Sequence, residues 1–264
     1  MKKHSQYKNK LLGAGISTPG LVNSKTGINY TYFKTEDSNL AAEFEKIIGV
    51  PVFIENDTRV MTVGEYRFGQ AKGKKNMLCI NYDNGIGLGL VLNGELYYGK
   101  SGFAGEFGHI QVKPNGALCH CGKQGCLETV SSGQYILNEA REAIKMGLPT
   151  QLSNIASKKK KIDLGDIVDA VHLGDEFSIN LLSAAADEMG RGLAILVHLL
   201  NPEIIIINGK MAEVGKYIQN PLQHAINKYC LVSIHDDVMV SISKLGDKSI
   251  FMGLVSTVVE KCLE

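Results

Sequence analysis

Four consecutive isoleucines, at positions 204–207, constrain the fold of this chain more than any other feature of its sequence. A strand that is apolar at every position has to be buried on both faces, which is typical of parallel sheets covered by helices. Asn201 and Pro202 end the preceding segment, and Gly209 provides a turn after the run. The run therefore predicts a central parallel strand and an α/β fold.

The rest of the sequence alternates between strand and helix patterns, as an α/β fold requires. The predicted strands cover residues 11–17, 50–54, 76–82 and 203–208, and a hairpin over 86–98 turns at Asn93-Gly94. The predicted helices cover residues 39–48, 58–69, 138–146, 178–200 and 249–262, with Ser38 and Asp57 placed to cap the first two. A lysine-rich break at 72–75 predicts two lobes, namely residues 1–74, joined by the C-terminal helix 249–264, and residues 75–248.

The charge balance and the cysteine content exclude several classes of protein. The 264 residues contain 28 Lys and Arg against 27 Asp and Glu, so no strong basic field attracts nucleic acid phosphates. The N-terminus lacks a signal-peptide pattern, and no apolar stretch approaches the roughly 20 residues of a membrane span. Six cysteines are too sparse for a disulfide scaffold. We therefore expect a cytoplasmic protein with no membrane partner.

Three of the cysteines, Cys119, Cys121 and Cys126, lie close together in a glycine-rich segment that follows His109. Three thiolates and one imidazole suit tetrahedral zinc, whereas an iron–sulfur cluster usually takes four thiolates. Because four protein ligands leave no open coordination position, the predicted zinc is structural. The alternative is that the three cysteines are ordinary thiols.

Carboxylates stand on either side of this predicted metal loop. Glu106 precedes it and Glu128 follows it, so a metal that orders the loop would hold both side chains in place, as recognition of a polyhydroxylated ligand requires. Asn56 and Asp57, at the end of a predicted strand, are placed to converge on the same ligand. In the alternative, Glu106 and Glu128 are surface charges, and Asp57 is only a helix cap.

A glycine loop at 83–89 follows the predicted strand 76–82. It is a weak indication of a phosphate site because it does not open a helix. A tight β-turn explains the same glycines equally well.

Several segments together resemble the ROK family of the actin-like sugar-kinase superfamily, which is named for its repressors, open reading frames and kinases. The matching segments, in family order, are GISTPG at 15–20, END at 55–57, GIGLG at 85–89, AGEFGH at 104–109 and CHCGKQGCLE at 119–128. The resemblance is close over residues 11–135 and looser beyond them. The cysteine segment is highly specific for the family, whereas the glycine loop is not.

The resemblance implies a two-lobed actin-like ATPase (ribonuclease H-like) fold with an incomplete N-terminal lobe, and a homodimer. It also implies zinc bound by His109, Cys119, Cys121 and Cys126, and a sugar or sugar phosphate bound by Asn56, Asp57, Glu106, His109 and Glu128. In kinase members the residue that matches Asp57 is the general base for phosphoryl transfer from Mg-ATP. The nucleotide would then lie near Gly85, Gly87 and Gly209.

Three departures from the kinase pattern favour the repressors of the family. Only ten residues precede the segment that matches Leu11, Asp83-Asn84 replaces the usual Gly-Thr, and Asn208-Gly209-Lys210 replaces a double glycine. The carboxylate of Asp83 is expected to repel nucleotide phosphates. We therefore predict a zinc-stabilised, sugar-sensing effector domain of a ROK-type transcriptional regulator, which contacts DNA only through a segment absent from this chain. The alternatives are an ATP-dependent sugar kinase and a fragment with no ligand.

Overall fold

The computed structural model describes residues 11–33, 39–159 and 161–263. The strands are β1 (Ala14–Thr18), β2 (Val22–Asn23), β3 (Ile28–Asn29), β4 (Val52–Asn56), β5 (Met77–Tyr82), β6 (Ile86–Leu92), β7 (Glu95–Leu96), β8 (Ile204–Asn208) and β9 (Met239–Ile242). The helices are α1 (Leu40–Ile48), α2 (Asp57–Phe68), α3 (Glu128–Ser131), α4 (Gly133–Lys145), α5 (Gln151–Lys158), α6 (Leu164–His172), α7 (Glu176–Leu200), α8 (Lys216–Tyr229), α9 (Val232–His235) and α10 (Lys248–Leu263). Within these ranges, no helix combines the length and apolarity that crossing a bilayer requires.

A five-stranded sheet with the order β7-β6-β5-β8-β9 forms the centre of the molecule. Strand β8 pairs in parallel with β5 and β9, while β5, β6 and β7 are antiparallel neighbours. Ile205 and Ile207 point into one hydrophobic cluster, and Ile204 and Ile206 point into another on the opposite face. The prediction of a parallel strand buried on both faces is therefore confirmed, because successive side chains of a strand alternate between its faces.

Helices cover both faces of this sheet. Residues of α4, α6, α7 and α8 fill the larger cluster, whereas Met61 of α2 and Ile250 of α10 pack on the other face. Helices α2 and α10 also contact the parallel pair β1-β4, which forms a separate small sheet. The α2 helix therefore connects the two sheets, and the first residues of α2 lie next to the residues that end β4. The division into two lobes at residues 74–75 stays a prediction.

The sequence patterns located most elements but not every cap. The hairpin turns where predicted, with positive φ angles of 54° at Asn93 and 87° at Gly94. Ser38 lies outside the described residues, and the side chain of Asn39 accepts a hydrogen bond from the Ala42 amide at the start of α1. The prediction that Asp57 caps α2 is wrong, because the side chain of Asn56 accepts the hydrogen bond from the Arg59 amide.

Helices α2 and α10 approach each other through glycines. A Cβ atom on Gly253 would overlap the carbonyl oxygen of Val60, and one on Gly64 would overlap the carbonyl oxygen of Ser249. The two helices are thus in backbone contact, with no side chain between them at these positions.

Substitution of Gly253 by alanine is expected to destabilise the fold by about 1–3 kcal/mol, because the added methyl group forces the two helices apart. Equilibrium unfolding in urea measures this change. The control is Val255→Ala on the same helix, where the side chain is 63% exposed and its truncation should change stability by less than about 0.5 kcal/mol. Equal effects of the two substitutions would contradict the close helix contact.

Candidate functional site

The predicted metal loop is closed by short backbone hydrogen bonds. The Cys119 amide donates to the Lys123 carbonyl at 2.7 Å, and the Gly122 amide donates to the Cys119 carbonyl at 2.9 Å. Gly125 has a φ angle of 71°, and a Cβ there would overlap the carbonyl oxygen of Lys113. A glycine is therefore required just before Cys126, since the chain must pass close to a neighbouring segment in a left-handed conformation.

The ligand atoms of His109, Cys119, Cys121 and Cys126 all lie within 4.8 Å of one another. The distance from Nδ1 of His109 to Sγ of Cys119 is 3.6 Å, and the distance between Sγ of Cys121 and Sγ of Cys126 is also 3.6 Å. Tetrahedral zinc separates two sulfurs by about 3.8 Å, and a sulfur from an imidazole nitrogen by about 3.6 Å, given its usual bond lengths. The donor set and its spacing therefore fit a tetrahedral metal.

The three thiols differ in their environments. Burial raises the pKa of Cys126 to about 12, and burial also raises the pKa of Cys119. Hydrogen bonding from the Lys123 backbone lowers the pKa of the exposed Cys121. Because a metal binds thiolates, an ion entering this cluster has to displace protons from the two buried thiols.

His109 connects the cysteine cluster with two carboxylates. Its Nδ1 atom lies 3.7 Å from Oε2 of Glu128, and its Nε2 atom lies 3.9 Å from Oε2 of Glu106. Burial raises the pKa of Glu106, whose side chain is still 50% exposed. Three of the predicted sugar-binding residues, Glu106, His109 and Glu128, are thus brought together on one side of the metal cluster.

His120, which was not predicted as a site residue, lies beside the carboxylate of Glu128. Its Nδ1 atom is 3.5 Å from Oε2 of Glu128. Its ring packs edge to face against the ring of His109, with 5.1 Å between the ring centroids. Among the described residues, Oε2 of Glu128 is buried without a hydrogen-bond partner. The position of His120 between two cysteines is the one sequence signal that could have indicated its place beside Glu128. Spacing alone does not reveal the direction in which a side chain points.

Asn56 and Asp57 lie at the junction between β4 and α2. The Asn56 side chain donates to the Gly20 carbonyl at 3.1 Å, in addition to capping the helix. Oδ1 of Asp57 accepts from the amide of Thr58 at 2.7 Å. Desolvation by burial raises the pKa of Asp57, and the nearby charge of Asp83 contributes in the same direction. Asp57 is therefore not used as the cap, although its Oδ1 atom is hydrogen-bonded to Thr58.

A buried ion pair holds the loops around this junction. Nε of Arg59 lies 2.6 Å from Oε1 of Glu55, and the two residues are 5% and 1% exposed. The Arg59 guanidinium also donates to the Gly102 carbonyl at 2.6 Å and to the Val22 carbonyl at 2.7 Å. The pair therefore ties the segments near residues 22 and 102 to α2. The sequence analysis did not assign a role to Arg59.

The start of β6 lies between the two groups of predicted ligands. A side chain at Gly87 would overlap the Thr58 hydroxyl, next to Asp57, while the amide of Ile86 donates to Oε1 of Glu128 at 3.3 Å. A side chain at Gly85 would also meet the Glu128 carboxylate. Consecutive residues of one strand thus contact the neighbours of Asp57 on one side and Glu128 on the other.

The glycines proposed for nucleotide binding have structural contacts of their own. Gly85 and Gly87 contact protein side chains as described above, and Gly209 has a φ angle of 88° and packs closely against the Tyr82 carbonyl. The amide of Gly209 donates to Oδ1 of Asn208 at 2.7 Å. The role of these glycines in nucleotide binding stays a prediction.

The ROK family model matches residues 1–261 of the chain. This chain belongs to the ROK family. It is 34% identical to the glucokinase of Halalkalibacterium halodurans over 95% of its own length and 77% of the relative. It is 31% identical to the xylose repressor of Bacillus spizizenii over 96% of its own length, but it spans only 62% of that relative.

The fold of this ROK protein matches solved structures of the family. A ROK family transcriptional regulator, a homologue of the Escherichia coli MLC protein, superposes with a TM-score of 0.82 at 31% identity, covering 98% of this chain and 69% of the regulator. The α/β fold of the actin-like sugar kinases is therefore present. Kinases and regulators are similar to this ROK protein to comparable degrees. Overall similarity therefore does not decide between a kinase and a regulator, and the residues of the site have to be compared instead.

Proposed function

We propose that this ROK protein is a zinc-stabilised, sugar-binding effector domain of a transcriptional regulator. The observation that carries the proposal is the convergence of Glu106, His109 and Glu128 beside a cluster of four metal-ligating atoms. Carboxylates and an imidazole fixed by a rigid loop suit the hydroxyl groups of a sugar. In the proposal, Asn56 and Asp57 at the start of α2 bind the same sugar.

In this proposal His109, Cys119, Cys121 and Cys126 would hold the zinc. The metal would supply structural constraint to the loop and no chemistry, because four protein ligands would leave no position for a reacting water. His109 is the residue that couples metal and ligand, because its two ring nitrogens face the thiols and Glu106. Binding of the ion thereby fixes the direction in which the imidazole meets a sugar.

The identity of Asp83 favours the regulator over the kinase. Phosphoryl transfer requires a site that receives the negative phosphates of a nucleotide, and Asp83 places a carboxylate next to the glycine loop, near enough to raise the pKa of Asp57. The kinase alternative rests on the glucokinase relative and on Asp57, whose burial-raised pKa suits a general base. A cytoplasmic location, a homodimer and DNA contact through another segment belong to the same proposal.

A binding experiment with matched variants tests this function. Calorimetric titration with glucose, xylose, N-acetylglucosamine and their phosphates should identify one sugar with a measurable Kd. Glu128→Gln should then weaken its binding by about tenfold or more, because charged hydrogen bonds to a buried ligand contribute about 1.5–3 kcal/mol. Glu139→Gln, an exposed carboxylate on α4, is the control and should leave the Kd unchanged.

Two results would contradict the proposal. Failure of every sugar in the panel to bind the zinc-loaded protein would remove the sensing function. Formation of ADP from Mg-ATP and a hexose at ordinary enzymatic rates, with loss of this activity in Asp57→Asn, would identify the kinase instead.

A further inference from the structure

The carboxylate of Asp83 accepts hydrogen bonds from the backbone of two separate turns. Its Oδ1 atom accepts from the amide of Asn84 at 2.7 Å, in the turn between β5 and β6. Its Oδ2 atom accepts from the amide of Lys210 at 3.2 Å, in the turn that follows β8. The side-chain amide of Asn84 donates to Oδ1 as well, at 3.1 Å. One side chain thus uses donors that belong to segments far apart in sequence.

These two turns form part of the wall of a cavity of 550 Å³. A pocket of this size is large enough for a small organic ligand. Four carboxylates, those of Asp83, Asp163, Glu213 and Asp247, line it together with three basic side chains, those of Arg141, Lys161 and Lys210. Nζ of Lys210 lies 2.6 Å from Oε2 of Glu213, so its charge is already paired. The lining therefore offers little net attraction to an anion.

Backbone amides that converge from two turns are the donors with which proteins bind oxyanions. In this chain the Asp83 carboxylate, itself an oxyanion, accepts hydrogen bonds from the amides of Asn84 and Lys210, one in each turn. An external phosphate would have to displace it and would then lie next to its negative charge. Burial is the main cause of the raised pKa of Asp57, and the charge of Asp83 acts in the same direction. The occupied amides and the negative charge of Asp83 both disfavour a phosphate chain between the cavity and Asp57.

We propose that Asp83 is a specificity-determining residue that excludes phosphate-bearing ligands from this cavity by acting as an internal anion. The inference rests on the proposed function, because it explains how a sugar-binding ROK domain avoids nucleotides. It goes beyond simple charge repulsion, since Asp83 also occupies the donors and connects the turn at 83–85 to the turn at 209–210. The ligands that the cavity admits are neutral or cationic.

The test compares binding of two probes, inorganic pyrophosphate and Mg-ADP, by isothermal titration calorimetry. The proteins are the wild type, Asp83→Gly and Asp83→Asn. The asparagine variant is included because it retains a turn-forming side chain and keeps the test possible if the glycine variant fails to fold. Asp83→Gly, which frees both amides, should bind the probes about 10- to 100-fold more tightly than the wild type, because the charge is removed and the hydrogen bonds become available to an external anion. Asp83→Asn, which loses the charge but keeps one oxygen that can accept from an amide, should gain less. Asp247→Asn is the control, because it removes one negative charge from the same cavity but leaves the Asp83 hydrogen bonds intact.

The outcomes separate this inference from the proposed function. Tight binding of Mg-ADP to the wild type, or no gain in a folded Asp83 variant, would overturn the role of Asp83. An equal gain in Asp247→Asn would also overturn it, because general charge would then be sufficient. Sugar binding is measured separately on the same wild-type sample, without pyrophosphate or nucleotide. If no sugar binds, the proposed sugar-sensing function is rejected, whereas the result for Asp83 still stands.

Discussion

If the proposed zinc is bound, replacement of Cys126 by serine is expected to release it and to lower Tm on the order of 10 °C, because the loop of Cys119, Cys121 and Cys126 loses its cross-link. Structural zinc sites contribute many kcal/mol to folding, and in a chain of this size each kcal/mol shifts Tm by about 2–4 °C. Cys126 is fully buried and its sulfur lies 3.6 Å from that of Cys121, so a hydroxyl group there is both a poor ligand and poorly solvated. Metal content by mass spectrometry and thermal unfolding measure the two effects.

Cys262→Ser is the matched control, since this cysteine lies on α10 outside the cluster. It should retain one zinc per chain and the Tm of the wild type. A purified wild-type protein without stoichiometric zinc, or a Cys126→Ser variant with unchanged metal content, would contradict the assignment of these residues as ligands.

Substitution of Arg59 by methionine is expected to destabilise the protein by about 3–5 kcal/mol, because it leaves the buried carboxylate of Glu55 without its counter-charge. The substitution also removes the donors that Arg59 provides to the carbonyls of Gly102 and Val22. Urea unfolding followed by circular dichroism gives the difference in the free energy of unfolding.

Arg67→Met on the same helix provides the comparison. Arg67 pairs with Glu260 at 2.5 Å, but the two side chains are 37% and 51% exposed, so the loss should be about 1 kcal/mol or less. The double variant Arg59→Met with Glu55→Gln should recover part of the stability, because it no longer buries an unpaired charge. If Arg59→Met lowers the free energy of unfolding no more than Arg67→Met does, burial of the Arg59–Glu55 pair does not increase the cost of removing one partner.

The sequence predicted those parts of the fold that depend on local pattern. The isoleucine run of β8 requires a strand buried on both faces, and Asn93-Gly94 favours a tight turn with positive φ angles. The structure shows both. Helix α8 was not predicted, because Pro221 interrupts its pattern, although the helix continues through this proline. Strand β9 was also not predicted, since its four residues acquire their meaning only from pairing with β8.

The candidate site was predictable where its residues lie close together in the chain. Spacing was enough to group Cys119, Cys121 and Cys126, and the side chains do converge. The ion pair of Glu55 and Arg59 was not recognised, because a charged residue in sequence gives no sign that it is buried. Capping by Asn56 instead of Asp57 depends on a difference of one residue in the helix start, which pattern does not resolve.

The glycine contact between α2 and α10 has a mechanical consequence for any ligand that reaches Asp57. Because the backbones touch at Gly64 and Gly253, α2 has no room to move toward α10. We expect a tilt of α2 in that direction to displace α10 as well. A ligand bound at Asp57, at the N-terminal end of α2, would thereby be coupled mechanically to the surface formed by α10.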